Sequence, residues 1–128
     1  MSFDEMRLQY RAKMPIKTVS EANSNEHWSA KHKRHKEHRK IVAIYFRNVE
    51  IVPPCTISLT RIAPRMLDDD NLVGSLKHVR DYIADCILPG YQMGRADSIV
   101  NDGEFALRWE YSQEKGAPKE YAVKVEVA

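Results

Sequence analysis

Three consecutive aspartates, Asp68, Asp69 and Asp70, stand before an asparagine in the segment MLDDDNLVGSLKHVRDYI. If residues 65–70 leave a strand in an extended conformation, Asp68 and Asp70 point to one side and Asp69 points away. Two neighbouring carboxylates repel each other, and a divalent cation that prefers oxygen ligands relieves this repulsion. A bound Mg²⁺ coordinates a phosphate and activates a water. The pattern therefore predicts a Mg²⁺ site at Asp68 and Asp70, with Mn²⁺ as a possible substitute.

Helix capping is the alternative interpretation of the same cluster. Asp69 or Asp70 can cap the helix that follows, and acids in a first turn interact favourably with the helix dipole. Capping needs one aspartate or two, so it does not explain all three together with the asparagine. Both interpretations remain open.

A lysine on the predicted helix is a second candidate for phosphate chemistry. The helix places Asp70, Gly74, Lys77 and Asp81 on one face. Helical side chains lean toward the N-terminus, and Gly74 has no side chain, so Lys77 can lean toward the aspartates and help to bind a phosphate. The alternative is a solvated lysine that pairs with Asp81.

A third carboxylate can come from the segment VNDGEF, which follows a glycine-rich stretch and precedes a predicted strand. Residues in loops at strand ends are often functional, which makes Asp102 a candidate metal ligand. Asn-Asp-Gly is equally typical of a turn, so turn chemistry is the alternative for this residue.

The segment KHKRHKEHRK, residues 31–40, concentrates positive charge on a predicted helix. Such a helix can follow a phosphate backbone, and a solvated charged helix is the alternative. Its candidate DNA-binding residues are Lys31, Lys33, Arg34, Lys36, Arg39 and Lys40. The histidines at positions 32, 35 and 38 make zinc conceivable, but no cysteine lies nearby to favour it.

Apolar periodicity predicts the element order β-α-β-α-β-β within one domain spanning residues 1–128. The predicted elements are strands at 5–13, 55–63, 105–111 and 121–127, and helices at 26–48 and from the aspartates to about 88. We expect an α/β fold in which helices cover at least one face of a mixed sheet, and in which the last two strands form a hairpin. Trp28 is expected to anchor the first helix, whose charged first half is expected to project from the core.

Bulk composition excludes some classes of protein. The sequence contains no run of about 18 apolar residues, so it predicts no membrane span. The two cysteines, Cys55 and Cys86, form no CxxC motif, which favours reduced thiols and a cytoplasmic location.

Several motifs, in order, resemble one nuclease family. LDDDNL resembles the D-x-D-N-L signature of the RusA-type crossover-junction endonucleases, the Holliday junction resolvases carried by many phages and prophages. SEANSNEHW with the basic helix, VNDGEF and RWEYSQEKG resemble further segments of that family, in the family's order and spacing.

The resemblance implies a homodimeric, Mg²⁺-dependent nuclease that cuts four-way DNA junctions symmetrically in recombination and repair. It implies metal binding by Asp68, Asp70 and Asp102. The family's catalytic lysine position is occupied here by Gly74, and Lys77 is the nearest replacement.

Other functions remain open at this point. Gly74 in place of lysine favours a non-catalytic DNA-binding phage accessory protein that keeps the fold. Asn101 replaces the first acid of the second motif, and either change is compatible with altered geometry, reduced activity or a different branched substrate. A metal-free interaction module would show no salt-dependent DNA binding. A nuclease of the PD-(D/E)xK class is disfavoured, because no D/E-x-K tripeptide occurs in the sequence.

Overall fold

The computed structural model describes residues 8–21, 26–88, 99–100 and 104–128, with backbone alone for 99–100 and 104–105. The elements are β1 (Tyr10–Met14), α1 (Trp28–Tyr45), β2 (Cys55–Ala63), α2 (Asp69–Ile87), β3 (Ile99–Val100), β4 (Glu104–Phe105), β5 (Leu107–Lys115) and β6 (Ala122–Val127). The predicted α/β architecture of a mixed sheet with helices packed on it is confirmed.

Four strands form the main sheet in the order β1-β6-β2-β5. Strand β6 is antiparallel to both of its neighbours, whereas β2 and β5 are parallel. Parallel neighbours need a long crossover connection, and here that connection contains α2. Strands β3 and β4 pair separately as a short antiparallel ribbon.

The two faces of the main sheet differ sharply in chemistry. On one face Ile57, Leu59, Val123 and Val125 are fully buried under both helices. On the other face polar side chains pair across strands: Thr60 Oγ1 lies 2.8 Å from Ser112 Oγ, Ser58 Oγ donates to Glu110 Oε2 over 3.2 Å, and Arg11 pairs with Glu126 at 3.2 Å. The helices therefore form a single layer on the apolar face of the sheet.

Helix α2 packs on the core through apolar residues that repeat with the helical period along its sequence. Leu72, Leu76, Val79 and Ile83 are all buried, whereas Cys86 is exposed. Neither helix of the described residues is long and apolar enough to cross a membrane.

Helix α1 departs from two expectations. Its charged first half is mostly exposed but does not simply project from the core, because Arg34 and His35 are only partly exposed and contact Glu21. Beyond the midpoint of the helix, His38 is 6% exposed and extends the buried stripe of Val42 and Phe46 toward the N-terminus. Trp28 is 74% exposed and does not anchor the helix. The start of α1 is held instead by Arg34, which donates to Glu21 and Glu26. An ion-pair anchor therefore takes the place of the expected apolar one.

The predicted hairpin of the last two strands is wrong. Strands β5 and β6 both pair with β2, one on each side, and not with each other. The connection crosses the end of β2, where the Gly116 amide donates to Ala63 O over 2.8 Å. A Cβ at Gly116 would lie 3.1 Å from both Glu120 O and Ile62 Cγ2, so glycine fits this close approach.

Candidate active site and nucleic-acid interface

The acidic cluster lies where β2 ends and α2 begins. The connection between them is held from β5, because the Gln113 side chain donates to Leu67 O over 2.6 Å and accepts from Leu67 N over 2.9 Å. It is also held from β2, because Arg61 Nη1 donates to Arg65 O over 2.7 Å. The distant side chain of Gln113 and the nearby side chain of Arg61 thus both position the backbone that leads to the aspartates.

Arg61 is an unusual residue for a sheet core. Its side chain is 5% exposed, and its Nε donates to Thr18 Oγ1 over 3.1 Å. Burial lowers the pKa of its guanidinium, and no carboxylate among the described residues forms an ion pair with it. Sequence analysis missed Arg61 as a positioning residue, although an arginine in the alternating strand CTISLTRIA was a usable signal.

The structure places Asp68 at the N-cap of α2. Its Oδ1 accepts from the Asn71 amide over 2.9 Å, and its Oδ2 accepts from Asn71 Nδ2 over 3.1 Å. Helix α2 already begins at Asp69, so the premise that residues 65–70 are extended throughout is wrong. One aspartate does cap the helix, but it is Asp68 and not Asp69 or Asp70, the two residues that the capping alternative named; these occupy the first helical turn.

All three aspartates are exposed, and none forms an ion pair with a described residue. Capping occupies one lone pair on each Asp68 oxygen and leaves the others free, because a carboxylate has about four acceptor sites. Asp102 and Asn101 lie outside the described residues. Of the three predicted ligands, the structure therefore places Asp68 and Asp70 within one helical turn.

Lys77 is exposed one turn beyond Gly74. It forms no ion pair within the described part of the chain, and Asp81 pairs with Arg80 at 3.3 Å instead. A Cβ built on Gly74 meets nothing within 4 Å, so the space beside the acidic turn is open. The alternative of a Lys77–Asp81 pair is therefore wrong, and Lys77 remains available to a ligand.

Two consecutive residues before α1 connect the acidic turn to the basic helix. Ser20 Oγ donates to Asn71 Oδ1 over 3.0 Å, which fixes this segment against the start of α2. The next residue, Glu21, contacts α1: its Oε2 accepts from Arg34 Nη2 over 3.0 Å, and its Oε1 lies 3.0 Å from His35 Nε2. Because adjacent Cα atoms are only about 3.8 Å apart, these contacts join the second turn of α1 to the first turn of α2 through a short stretch of backbone.

The predicted DNA-binding residues divide into two groups. Arg34 is 16% exposed and is held between Glu21 and Glu26. Burial would lower its pKa, but hydrogen bonds to these glutamates raise it. Lys31 lies 3.5 Å from Glu21. The second group is exposed and forms no ion pair closer than 3.9 Å with any described residue; it consists of Lys33, Lys36, Arg39 and Lys40.

Part of this exposed group lines a surface pocket. Lys36 and Arg39 form one wall together with His32 and His35, and Tyr82 of α2 forms the other. The Arg39 guanidinium carbon lies 5.8 Å from the centre of the Tyr82 ring. Basic groups beside an aromatic surface suit an anionic, planar ligand such as a nucleotide segment.

Three histidines meet behind this pocket. His38 Nδ1 and His78 Nε2 are 2.8 Å apart, and the His35 ring stacks on His78 with centroids 3.9 Å apart. Burial lowers the pKa of His38 to about 4 and that of His78 to about 3, with further lowering by neighbouring positive groups. Sequence analysis treated the helix histidines as a spaced series and missed their contact with α2.

No family model matches the chain, and no curated protein matches it.

Proposed function

We propose that this chain is a Mg²⁺-dependent endonuclease that resolves four-way DNA junctions. The observation that carries the proposal is the link through Ser20 and Glu21, which ties an exposed acidic turn to a basic helix. A nuclease needs both features side by side: carboxylates for a metal ion and cations for the phosphates that flank the cut. The motif resemblance stated above selects branched DNA as the substrate.

The donor set at the acidic turn suits Mg²⁺. Asp68 and Asp70 offer exposed carboxylate oxygens with unused lone pairs, and Mg²⁺ binds through one or two carboxylates while it retains several waters. The ion would polarise the scissile phosphate and lower the pKa of a bound water. Asp102 is proposed as the third ligand.

The other residues of the site bind and orient the DNA. Lys77, exposed beside the open space at Gly74, would stabilise the negative charge that builds up on the phosphate during cleavage. Lys33, Lys36 and Arg39 would hold the backbone that leads to the cut. We further propose a homodimer, because two symmetric cuts call for a two-fold protein, and a cytoplasmic location, where such DNA is found.

A non-catalytic DNA-binding protein is the second candidate. It is favoured by the open space at Gly74, where the related enzymes have a lysine, and by the use of both Asp68 oxygens in the helix cap. Both candidates bind junctions, and cleavage that requires Mg²⁺ separates them.

The decisive experiment incubates the purified chain with a labelled synthetic four-way junction, with and without Mg²⁺, beside a linear duplex of the same sequence. We expect paired cuts in the junction that appear with Mg²⁺ and not without it. Asp70→Asn should abolish cleavage and keep junction binding, and Asp69→Asn, in the same exposed turn, is the matched control. Binding without cleavage in either metal condition would select the second candidate.

A further inference from the structure

Three potential metal ligands from separate parts of the chain converge between the helices. Glu21 precedes α1, His35 lies on α1, and His78 lies on α2. One ligand atom from each lies within 4.8 Å of the other two, and Glu21 Oε1 is 3.0 Å from His35 Nε2. Two ligands of one tetrahedral zinc ion are typically separated by about 3.3 Å, given bonds of about 2.0–2.1 Å. The separations between the three ligand atoms are therefore close to those found around one bound ion.

We propose that a single divalent metal ion, such as Zn²⁺ or Co²⁺, binds to Glu21, His35 and His78. Imidazole nitrogens with one carboxylate oxygen suit Zn²⁺ or Co²⁺, whereas Mg²⁺ prefers oxygen ligands alone. The site is thus chemically distinct from the acidic turn of α2, and the proposal does not depend on nuclease activity.

His78 carries the strongest evidence for a missing ligand. Its side chain is 8% exposed, and its Nδ1 is buried without a hydrogen-bond partner among the described residues. Its Nε2 faces His38 Nδ1 at 2.8 Å. If Nε2–H donates to His38, Nδ1 presents a lone pair that nothing uses. A metal-ligating histidine typically donates its other N–H in this way, so His38 would orient His78.

The surface pocket supplies a route for the ion. His35 lines the pocket beside Lys36 and Tyr82 and also contacts Glu21, so it connects solvent to the cluster.

The rings of His35 and His78 are parallel within 2°, and their lone pairs therefore do not converge. One ring must turn when the ion binds, and the ion takes the place of the contact between Glu21 Oε1 and His35 Nε2.

Nearby positive charge limits the affinity. The Arg34 guanidinium lies 2.9 Å from Glu21 Oε1, and the Lys31 ammonium lies 3.5 Å from Oε2. Both cations compete with the ion for the carboxylate, so the two histidines must supply most of the binding. Removal of one histidine is therefore the sharpest test.

The test is titration of untagged, metal-stripped protein with Co²⁺, followed by visible absorption, and then competition with Zn²⁺. We expect one ion per chain, with a Co²⁺ spectrum typical of nitrogen and oxygen ligands. His35→Gln should weaken binding by at least about tenfold, since loss of a mere supporting residue costs about 10- to 100-fold. Glu21→Gln should also weaken Co²⁺ binding.

His32→Gln is the matched control, because His32 is exposed on the same helix and lies in the same pocket. It should bind Co²⁺ as the wild type does. Circular dichroism of each variant verifies folding, and the partly exposed His35 is tested rather than the buried His78 for that reason. The proposal is overturned if the wild type does not bind Co²⁺, if His32→Gln loses as much affinity as His35→Gln, or if a thiolate-to-cobalt band assigns the ion to the exposed Cys86.

Discussion

Asn71 binds Asp68 twice, through its backbone amide at 2.9 Å and its side-chain amide at 3.1 Å. One carboxylate therefore has two candidate roles, as the cap of α2 and as a ligand of the proposed Mg²⁺ ion. The two roles make different demands on the side chain, because capping needs an acceptor oxygen whereas metal binding at this site needs negative charge.

Substitution of Asp68 separates these roles. Asp68→Asn keeps an acceptor at the N-cap, so the free energy of unfolding should stay close to that of the wild type while junction cleavage is lost. Asp68→Ala should lose both, at a cost of about 1 kcal/mol in stability. Urea unfolding and junction cleavage measure the two effects. Normal cleavage by Asp68→Asn would show that Asp68 is a cap alone.

Gly74 offers a test of stability within the same helix. A Cβ at this position meets nothing within 4 Å, so Gly74→Ala should stabilise the protein by about 0.5–1 kcal/mol through helix propensity. Gly116→Ala is the counterpart, and it should destabilise because its Cβ would press on Glu120 O. Thermal unfolding of both variants measures whether each substitution raises or lowers the stability. A Gly74→Ala protein that melts earlier would mean that this space is needed by another part of the molecule.

Two kinds of positively charged residue on the basic helix should respond differently to substitution. Lys36→Gln should weaken junction binding and reduce the slope of log affinity against log salt by about 0.9, the effect of one lost phosphate contact. Arg34→Gln should instead lower stability, by about 1–3 kcal/mol, because Glu21 and Glu26 lose their main partner. Binding measured over a range of salt concentrations, together with urea unfolding, distinguishes them. Equal salt slopes for the wild type and Lys36→Gln would show that Lys36 does not contact a DNA phosphate.

The buried histidines predict a loss of stability in mild acid for the metal-free protein. Burial lowers the pKa of His38 to about 4 and that of His78 to about 3, whereas an unfolded histidine titrates near 6.5. The unfolded chain therefore takes up more protons below about pH 6.5, and the free energy of unfolding falls as the pH drops, by up to about 1.4 kcal/mol per pH unit for each histidine.

Urea unfolding in the presence of a chelator, at a series of pH values from about 7 to about 5, measures this slope. His38→Gln should flatten it, and His32→Gln, which removes an exposed histidine, should leave it unchanged. A stability that does not change over this range would contradict the burial of the histidine pair.

Local pattern explains which parts of this fold were predictable. Strand β2 was predicted at its observed bounds, because CTISLTRIA alternates and is rich in β-branched residues. The buried stripe of α2 was predictable for a similar reason, since its apolar residues repeat with the helical period. Neither pattern depends on what the element packs against.

Partners distant in the sequence explain what was missed. Alternation identifies β5 and β6 as strands but does not state which strand lies between them, so the hairpin was a wrong inference from sequence order. Glu21, His35 and His78 are likewise separated by 14 and 43 residues, and no local spacing relates them. At the acidic cluster the residue types were informative, but the start of α2 decided which aspartate became the cap.

The polar face of the sheet has a consequence for how this protein tolerates sequence change. Its exposed side chains meet through pairs such as Ser58 with Glu110 and Arg11 with Glu126, which depend on matching charge or hydrogen bonding and not on filled volume. Exchange of both members of such a pair should therefore be nearly neutral, whereas Ile57 or Val125, on the opposite face of the same strands, permits little change in size. Alternate positions along a single strand would then drift at very different rates among descendants of this chain.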